Sequence, residues 1–234
     1  MAAHAVIPAA GAGRRFGASL PKQYLPLAGR AIQQHTLDRL AAMPELERIV
    51  VAVAADDAYA RVLPYACPGR LSFVPGGGER MDSVLAGLTW LQAAGAADDD
   101  WVLVHDVARP LLRPADVRRL LAELADDPVG GLLANPVRDT MKRSDADGQI
   151  VDTVCRERLW HALTPQMFRL GLLMHALQAA RSDGVVVTDE AAAVERLGLQ
   201  PRLVSGARDN LKITFPEDLP LAEALLAAQR QTGV

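Results

Sequence analysis

The chain has 234 residues, half of them hydrophobic, with 25 basic against 28 acidic side chains and a formal net charge of −3. That length and apolar content suit one compact α/β domain with a sizeable core, while the slightly acidic balance excludes a general nucleic-acid surface and makes any anion site local. No run approaches the roughly 18 apolar residues of a membrane span, the start lacks the basic and long apolar regions of a signal peptide, and Cys67 and Cys155 fit neither a metal spacing nor a disulfide framework, which points to a reduced, cytoplasmic setting.

Taken in chain order, apolar runs alternate with helical periods. Residues 4–9, 48–54, 71–74, 101–104 and 130–134 read as short strands rich in Val, Leu and Ile, as strands covered on both faces are. Between them, 31–43, 56–63, 81–94 and 114–125 read as helices, and Pro114 and Pro216 suit a first helical turn. This order predicts a doubly wound, mostly parallel sheet with right-handed crossovers. The rhythm breaks after Pro136. Two hairpin strands, 140–143 and 149–154, flank the turn-prone run Ser144-Asp-Ala-Asp-Gly148. Such an arm is marginal alone and predicts packing on something else, such as a second subunit. Helices at 169–181, 189–197 and 216–229 and a strand at 201–204 complete one domain, 1–234, with a protruding β-arm at about 137–157.

The first strand runs into Ala9-Ala10-Gly11-Ala12-Gly13-Arg14-Arg15-Phe16-Gly17, and Pro21-Lys22-Gln23 follows. Small residues let backbone N–H groups approach an anion, and Arg14, Arg15 and Lys22 match the charge of a triphosphate. The loop lies beyond a strand's carboxyl end, where open α/β sheets bind ligands. Its glycines meet the dinucleotide fingerprint only in part, with no well-spaced acid behind them, and the P-loop order is missing. On its own the loop also fits a glycine-rich turn with solvated arginines. Gly76-Gly77-Gly78-Glu79-Arg80-Met81-Asp82-Ser83 opens a helix that can hold a base or an anion. Val104-His105-Asp106-Val107-Ala108-Arg109-Pro110 ends the fourth strand, where Asp106 is placed either to hold Mg²⁺ or as a turn cap. Of the five histidines only His105 lies in a motif, and orienting the loop is the role that suits it.

With Pro136-Val-Arg-Asp-Thr-Met-Lys142, Leu159-Trp-His-Ala-Leu-Thr-Pro-Gln166, Thr188-Asp-Glu190 and Asp209-Asn-Leu-Lys-Ile-Thr214, these segments resemble the 2-C-methyl-D-erythritol 4-phosphate cytidylyltransferase family. The resemblance runs from residue 6 to 218 in family order. It implies a Rossmann-like fold, a homodimer, CTP and a small polyol phosphate as substrates, Mg²⁺, and a place in non-mevalonate isoprenoid precursor synthesis. Carried over, it implies that Ala9, Ala10, Gly11, Gly77, Gly78 and Ser83 contact the nucleotide, with Val107 beside it. By the same resemblance, Arg15 and Lys22 would stabilise the transition state. It likewise implies that Asp106, Arg109, Thr140, Arg156, Thr188 and Lys212 position the acceptor phosphate or the metal. Arg156 is chosen over Arg158 by its distance to Leu159-Trp160. Residues 95–100 are expected to form a slightly long surface loop, and Val107 replaces the family's usual Ala. A ribitol 5-phosphate enzyme and a non-enzymatic nucleotide-binding module are the alternatives.

Overall fold

The structure, a computed structural model, describes residues 1–11 and 20–233. Strand β1 (Ala3–Pro8) is followed by a 3-10 turn (Lys22–Tyr24) and a small hairpin, β2 (Pro26–Leu27) and β3 (Arg30–Ala31). Then come α1 (Ile32–Ala41), β4 (Arg48–Val53), β5 (Leu71–Pro75), α2 (Arg80–Ala93), β6 (Trp101–Val104), α3 (Pro114–Glu123) and β7 (Gly130–Pro136). The arm is β8 (Met141–Ser144) and β9 (Ile150–Val154), and β10 (Trp160–Arg169), α4 (Leu170–Ser182), α5 (Glu190–Glu195), β11 (Arg202–Ser205) and α6 (Asp218–Gln231) complete the chain.

Seven strands form one sheet in the order β11-β7-β10-β6-β1-β4-β5. Neighbours run parallel except β10, which is antiparallel to both β6 and β7. Successive residues of β1 point to opposite faces and enter different cores. Ala5 and Ile7 pack with Leu37 and Leu40 of α1 and Val117 and Leu120 of α3. Val6 packs with Val84, Leu88 and Leu91 of α2 and Leu173 and Leu177 of α4. The sheet is therefore covered on both sides, which explains why its strands carry no polar alternation. Mid-helix Gly87 lets α2 close on β1, because a Cβ there would lie 2.5 Å from Val6 Cγ1.

Three expectations change. Residues 56–63 form turns, not a helix. Asp57 Oδ1 accepts the amides of Tyr59 (2.9 Å) and Ala60 (2.7 Å), and its other oxygen accepts the Tyr24 hydroxyl. A short acid that bonds its own following amides competes with helix formation. Pro216 precedes the N-cap Glu217 of α6 instead of opening the helix, whereas Pro114 does open α3. The ten-residue β10 was not expected. Pro165 interrupts its sequence, and proline argues against a central strand. The ladder with β7 shifts register between Ala162 and Gln166, so the proline falls where no ladder amide is needed. Residues 95–100 sit at the far end of the sheet from the strands' carboxyl ends. There Asp100 Oδ1 accepts the Ala2 amide at 2.8 Å, so this segment also closes the start of β1.

Candidate active site

A cleft of about 260 Å³ opens beyond the carboxyl ends of β1, β5 and β6. Its first wall is Ala9, Ala10 and Gly11. The Ala9 amide continues the ladder to Ala52 C=O (2.7 Å), and its carbonyl accepts Gln23 Nε2 (2.9 Å), which seats the Lys22 turn beside it. The second wall is Gly77, Gly78 and Ser83 at the start of α2, where Gly77 N–H donates to Ser83 Oγ at 3.2 Å. Gly76 is required there, since a Cβ would meet Ala10 Cβ at 2.6 Å and Ser83 Oγ at 2.7 Å. The third wall is Asp106, Val107 and Ala108 with Lys212 facing them.

Asp106 is the centre of charge. Its Oδ2 lies 2.7 Å from Lys212 Nζ and 3.6 Å from Arg109 Nε, and its Oδ1 lies 3.3 Å from Arg80 Nη2. Burial alone would push this carboxyl up. Arg80, Lys212 and Arg109 outweigh it and hold the group well below the usual carboxylate range. Arg80 also makes a bidentate pair with Glu190, at 2.5 and 3.0 Å. Full burial pushes the Glu190 carboxyl up and Arg80 pulls it back. The net effect leaves the Glu190 carboxyl raised, with the two-point guanidinium contact opposing its burial. Gln166 docks the start of α5 by accepting the Ala191 amide (2.8 Å) and donating to Asp189 Oδ2 (2.9 Å), and so fixes Glu190 against Arg80. Lys22 Nζ donates to Ile213 C=O at 3.0 Å, which holds Lys22 against the segment that carries Lys212.

The cleft thus gathers Ala9, Ala10, Gly11, Lys22, Gly77, Gly78, Ser83, Asp106, Val107 and Lys212. Arg109 is buried behind it, donating to Asn210 C=O at 2.7 Å. Arg15 lies outside the described residues. Thr140 and Arg156 are exposed on the arm, where Arg156 donates to Arg138 C=O, and exposed Thr188 precedes α5. None of these three lines the cleft of this one chain. Arg80, Glu190 and Thr164 were not assigned from sequence. All three stand inside motifs, but their meaning rests on pairings that only the fold makes.

The expectation of a metal at Asp106 does not fit its surroundings. Both carboxylate oxygens already face cations, and a dication placed there would be repelled by Arg80, Arg109 and Lys212. Among the described residues no group of three or more His, Cys, Asp or Glu could hold a metal. Asp106 is fitted instead to order the surrounding cations.

A Rossmann-like sheet with a small-residue, cation-ringed cleft at the strands' carboxyl ends is that of a nucleotidyltransferase. Comparison with known proteins narrows the class. The model of the IspD family, 2-C-methyl-D-erythritol 4-phosphate cytidylyltransferase, matches residues 3–228. The chain is 58% identical over 227 residues to 2-C-methyl-D-erythritol 4-phosphate cytidylyltransferase of Ectopseudomonas mendocina, covering 97% of each chain. It is similar to a solved 4-diphosphocytidyl-2C-methyl-D-erythritol synthase, with a TM-score of 0.84, 36% identity, and 96% and 98% of the two chains covered. The Francisella tularensis enzyme superposes with a TM-score of 0.82 at 32% identity, over 96% of this chain and all of that one. The chain belongs to the 2-C-methyl-D-erythritol 4-phosphate cytidylyltransferase family.

Proposed function

We propose that this chain joins CTP to 2-C-methyl-D-erythritol 4-phosphate, giving 4-diphosphocytidyl-2-C-methyl-D-erythritol and pyrophosphate in non-mevalonate isoprenoid precursor synthesis. The observation that carries this reading is the facing of two unlike walls. Small residues and the Ser83 hydroxyl stand on one side, and the Asp106–Lys212–Arg80 charge array on the other. Family membership names the substrates.

The acceptor's phosphate oxygen attacks the α-phosphorus of CTP, a P–O bond forms, and the bond to pyrophosphate breaks. The nucleophile is already ionised at neutral pH, so no strong general base is needed. Positioning and charge stabilisation then carry the rate. Lys22 and Arg15 offset charge on the α-phosphate and the leaving pyrophosphate. Lys212, held by Asp106, and Arg156 fix the acceptor phosphate in line, with Arg109, Thr140 and Thr188 supporting it. Mg²⁺, if required, would add charge neutralisation at the phosphates, with the nucleotide rather than this chain's carboxylates as its holder.

The chain acts as one domain with a dimerisation arm at about 137–157. Exposed Ile150 and Val151 on that arm, 66% and 62% accessible, support its packing on a second copy, and Thr140 and Arg156 then reach the partner's cleft. No helix among the described residues is long and apolar enough to cross a membrane. Free Cys67 and Cys155 agree with a cytoplasmic setting. Pyrophosphate release with CTP and each acceptor tests the reading. Turnover with ribitol 5-phosphate and none with methylerythritol phosphate would overturn it, and none with any acceptor would leave a nucleotide-binding module.

A further inference from the structure

The wall that carries Asp106 is a turn, with Arg109 N–H donating to Asp106 C=O at 3.0 Å. The two middle carbonyls of the turn have partners from distant parts of the chain. Thr36 Oγ1 donates to Val107 C=O (2.7 Å), and Ile213 N–H donates to Ala108 C=O (2.9 Å), which seats the segment bearing Lys212. The last carbonyl, that of Arg109, lies 3.1 Å from His105 Nε2. His105 is fully buried, and its other ring nitrogen, Nδ1, lies 2.9 Å from Thr164 Oγ1. The Asp106 amide donates to that same hydroxyl oxygen at 3.1 Å.

These contacts fix the proton positions. A carbonyl only accepts, so His105 Nε2 carries a hydrogen. A backbone amide only donates, so Thr164 Oγ1 accepts from Asp106 and has its own hydrogen left for Nδ1. Full burial disfavours the imidazolium that the Thr164 hydroxyl could otherwise accept from, so the imidazole is neutral, with both nitrogens satisfied. It grips the turn at one end directly, through Arg109 C=O, and at the other through Thr164, at the Asp106 amide. Continuing the β6–β10 register, in which Gln166 faces Val104, brings Thr164 opposite residue 106. Asn210 Nδ2 donates to Thr164 C=O at 2.7 Å and ties the same point to the 209–212 segment.

We propose that His105 is a positioning residue for the transfer reaction, a neutral strut that sets the 106–109 turn and thereby the place where Asp106 holds Lys212 and Arg80 toward the substrates. The proposal rests on the function proposed above. His105 lines no part of the cleft, so it acts through the turn. A shift of the turn moves the Asp106 carboxylate, and with it the Lys212 ammonium 2.7 Å away. The small-residue wall at Gly77 and Ser83 belongs to another element and stays where it is.

The test compares His105→Leu, which keeps the bulk and loses both ring contacts, with His105→Gln, whose amide can still donate to Arg109 C=O. In steady-state pyrophosphate release, His105→Leu lowers kcat by more than about tenfold and leaves the KM for CTP within about threefold, and His105→Gln recovers most of the lost kcat. Wild-type turnover is the control for the functional reading, and its failure would sink that reading alone. The tautomer is read independently on the wild-type protein, by two-bond proton–nitrogen NMR correlation of the ring at neutral pH. The proposal requires a proton on Nε2 and none on Nδ1. It is overturned by a proton on Nδ1, by both variants retaining kcat within about threefold of wild type, or by equal losses in Leu and Gln that track their unfolded fractions. Where His105→Leu does not fold, the Gln variant and the tautomer decide, since a folded Gln variant with kcat down more than about tenfold also overturns it.

Discussion

Lys212 Nζ lies 2.7 Å from Asp106 Oδ2, the shortest of three cationic contacts that surround a carboxylate only 8% exposed. The two partners are not equivalent. Asp106 is enclosed and neutralises several cations, whereas Lys212 reaches the cleft with its side chain 37% exposed.

Asp106→Asn therefore leaves Arg80, Arg109 and Lys212 facing one another across a buried amide. A loss of about 3 kcal/mol in unfolding free energy is expected, measured by urea titration. Lys212→Met removes a half-exposed partner and changes stability by less than about 1 kcal/mol, while kcat falls on the order of 100-fold. Equal destabilisation by the two changes would contradict this division of labour.

The residual activity of Asp106→Asn also tests the metal argument. If the ion is carried by nucleotide phosphates, the Mg²⁺ concentration for half-activation moves by less than about threefold. A shift far above that would make Asp106 a ligand after all.

Gly76 and Gly78 differ although they are near neighbours. A Cβ at Gly76 meets Ala10 and Ser83, and one at Gly78 meets nothing within 4 Å. Gly76→Ala is expected to raise the KM for CTP about tenfold by forcing the two small-residue walls apart, a cost of roughly 1–2 kcal/mol. Gly78→Ala should bind CTP nearly as wild type, and nucleotide titration of the two variants separates them.

Burial holds the His105 imidazole down to about 4, against about 6.5 in an unfolded chain. Between those values the unfolded chain binds a proton that the native protein does not. Stability therefore falls as pH drops through that window, by about 3 kcal/mol from this group, and is unaffected by it above the window. His35, also lowered by burial, contributes in the same direction. Urea midpoints at about pH 7 and about pH 4.5 should converge partly in His105→Gln, and an unchanged pH dependence would assign the loss to other groups.

Arg156 and Lys22 allow a subunit-sharing test. If the arm pairs two copies, Arg156→Ala and Lys22→Ala proteins, each inactive, should regain about a quarter of wild-type activity when mixed and allowed to exchange, because half the dimers would be mixed and carry one intact site. No recovery after demonstrated exchange would place arm and loop residues in the same chain's site.

The sequence by itself determined the βα rhythm, the arm, and most of the cleft. Unbroken Val, Leu and Ile runs can only be covered on both faces, and Gly77-Gly78 and Asp106 fall at strand ends in recognisable order. Local signals failed where a non-local partner won. Asp57 captured its own amides and the Tyr24 hydroxyl in place of a helix. Pro165 hid a central antiparallel strand that a register shift makes possible. The pairing of Arg80 with Glu190, and the enclosure of Asp106 by three cations, were decided only by the tertiary structure. Except for Arg109, three residues from Asp106, these contacts join residues far apart in the chain, and their strength comes from a shared burial that no window of sequence contains. The same holds for His105, whose two ring nitrogens acquire their roles only once Thr164 and Arg109 are folded around it.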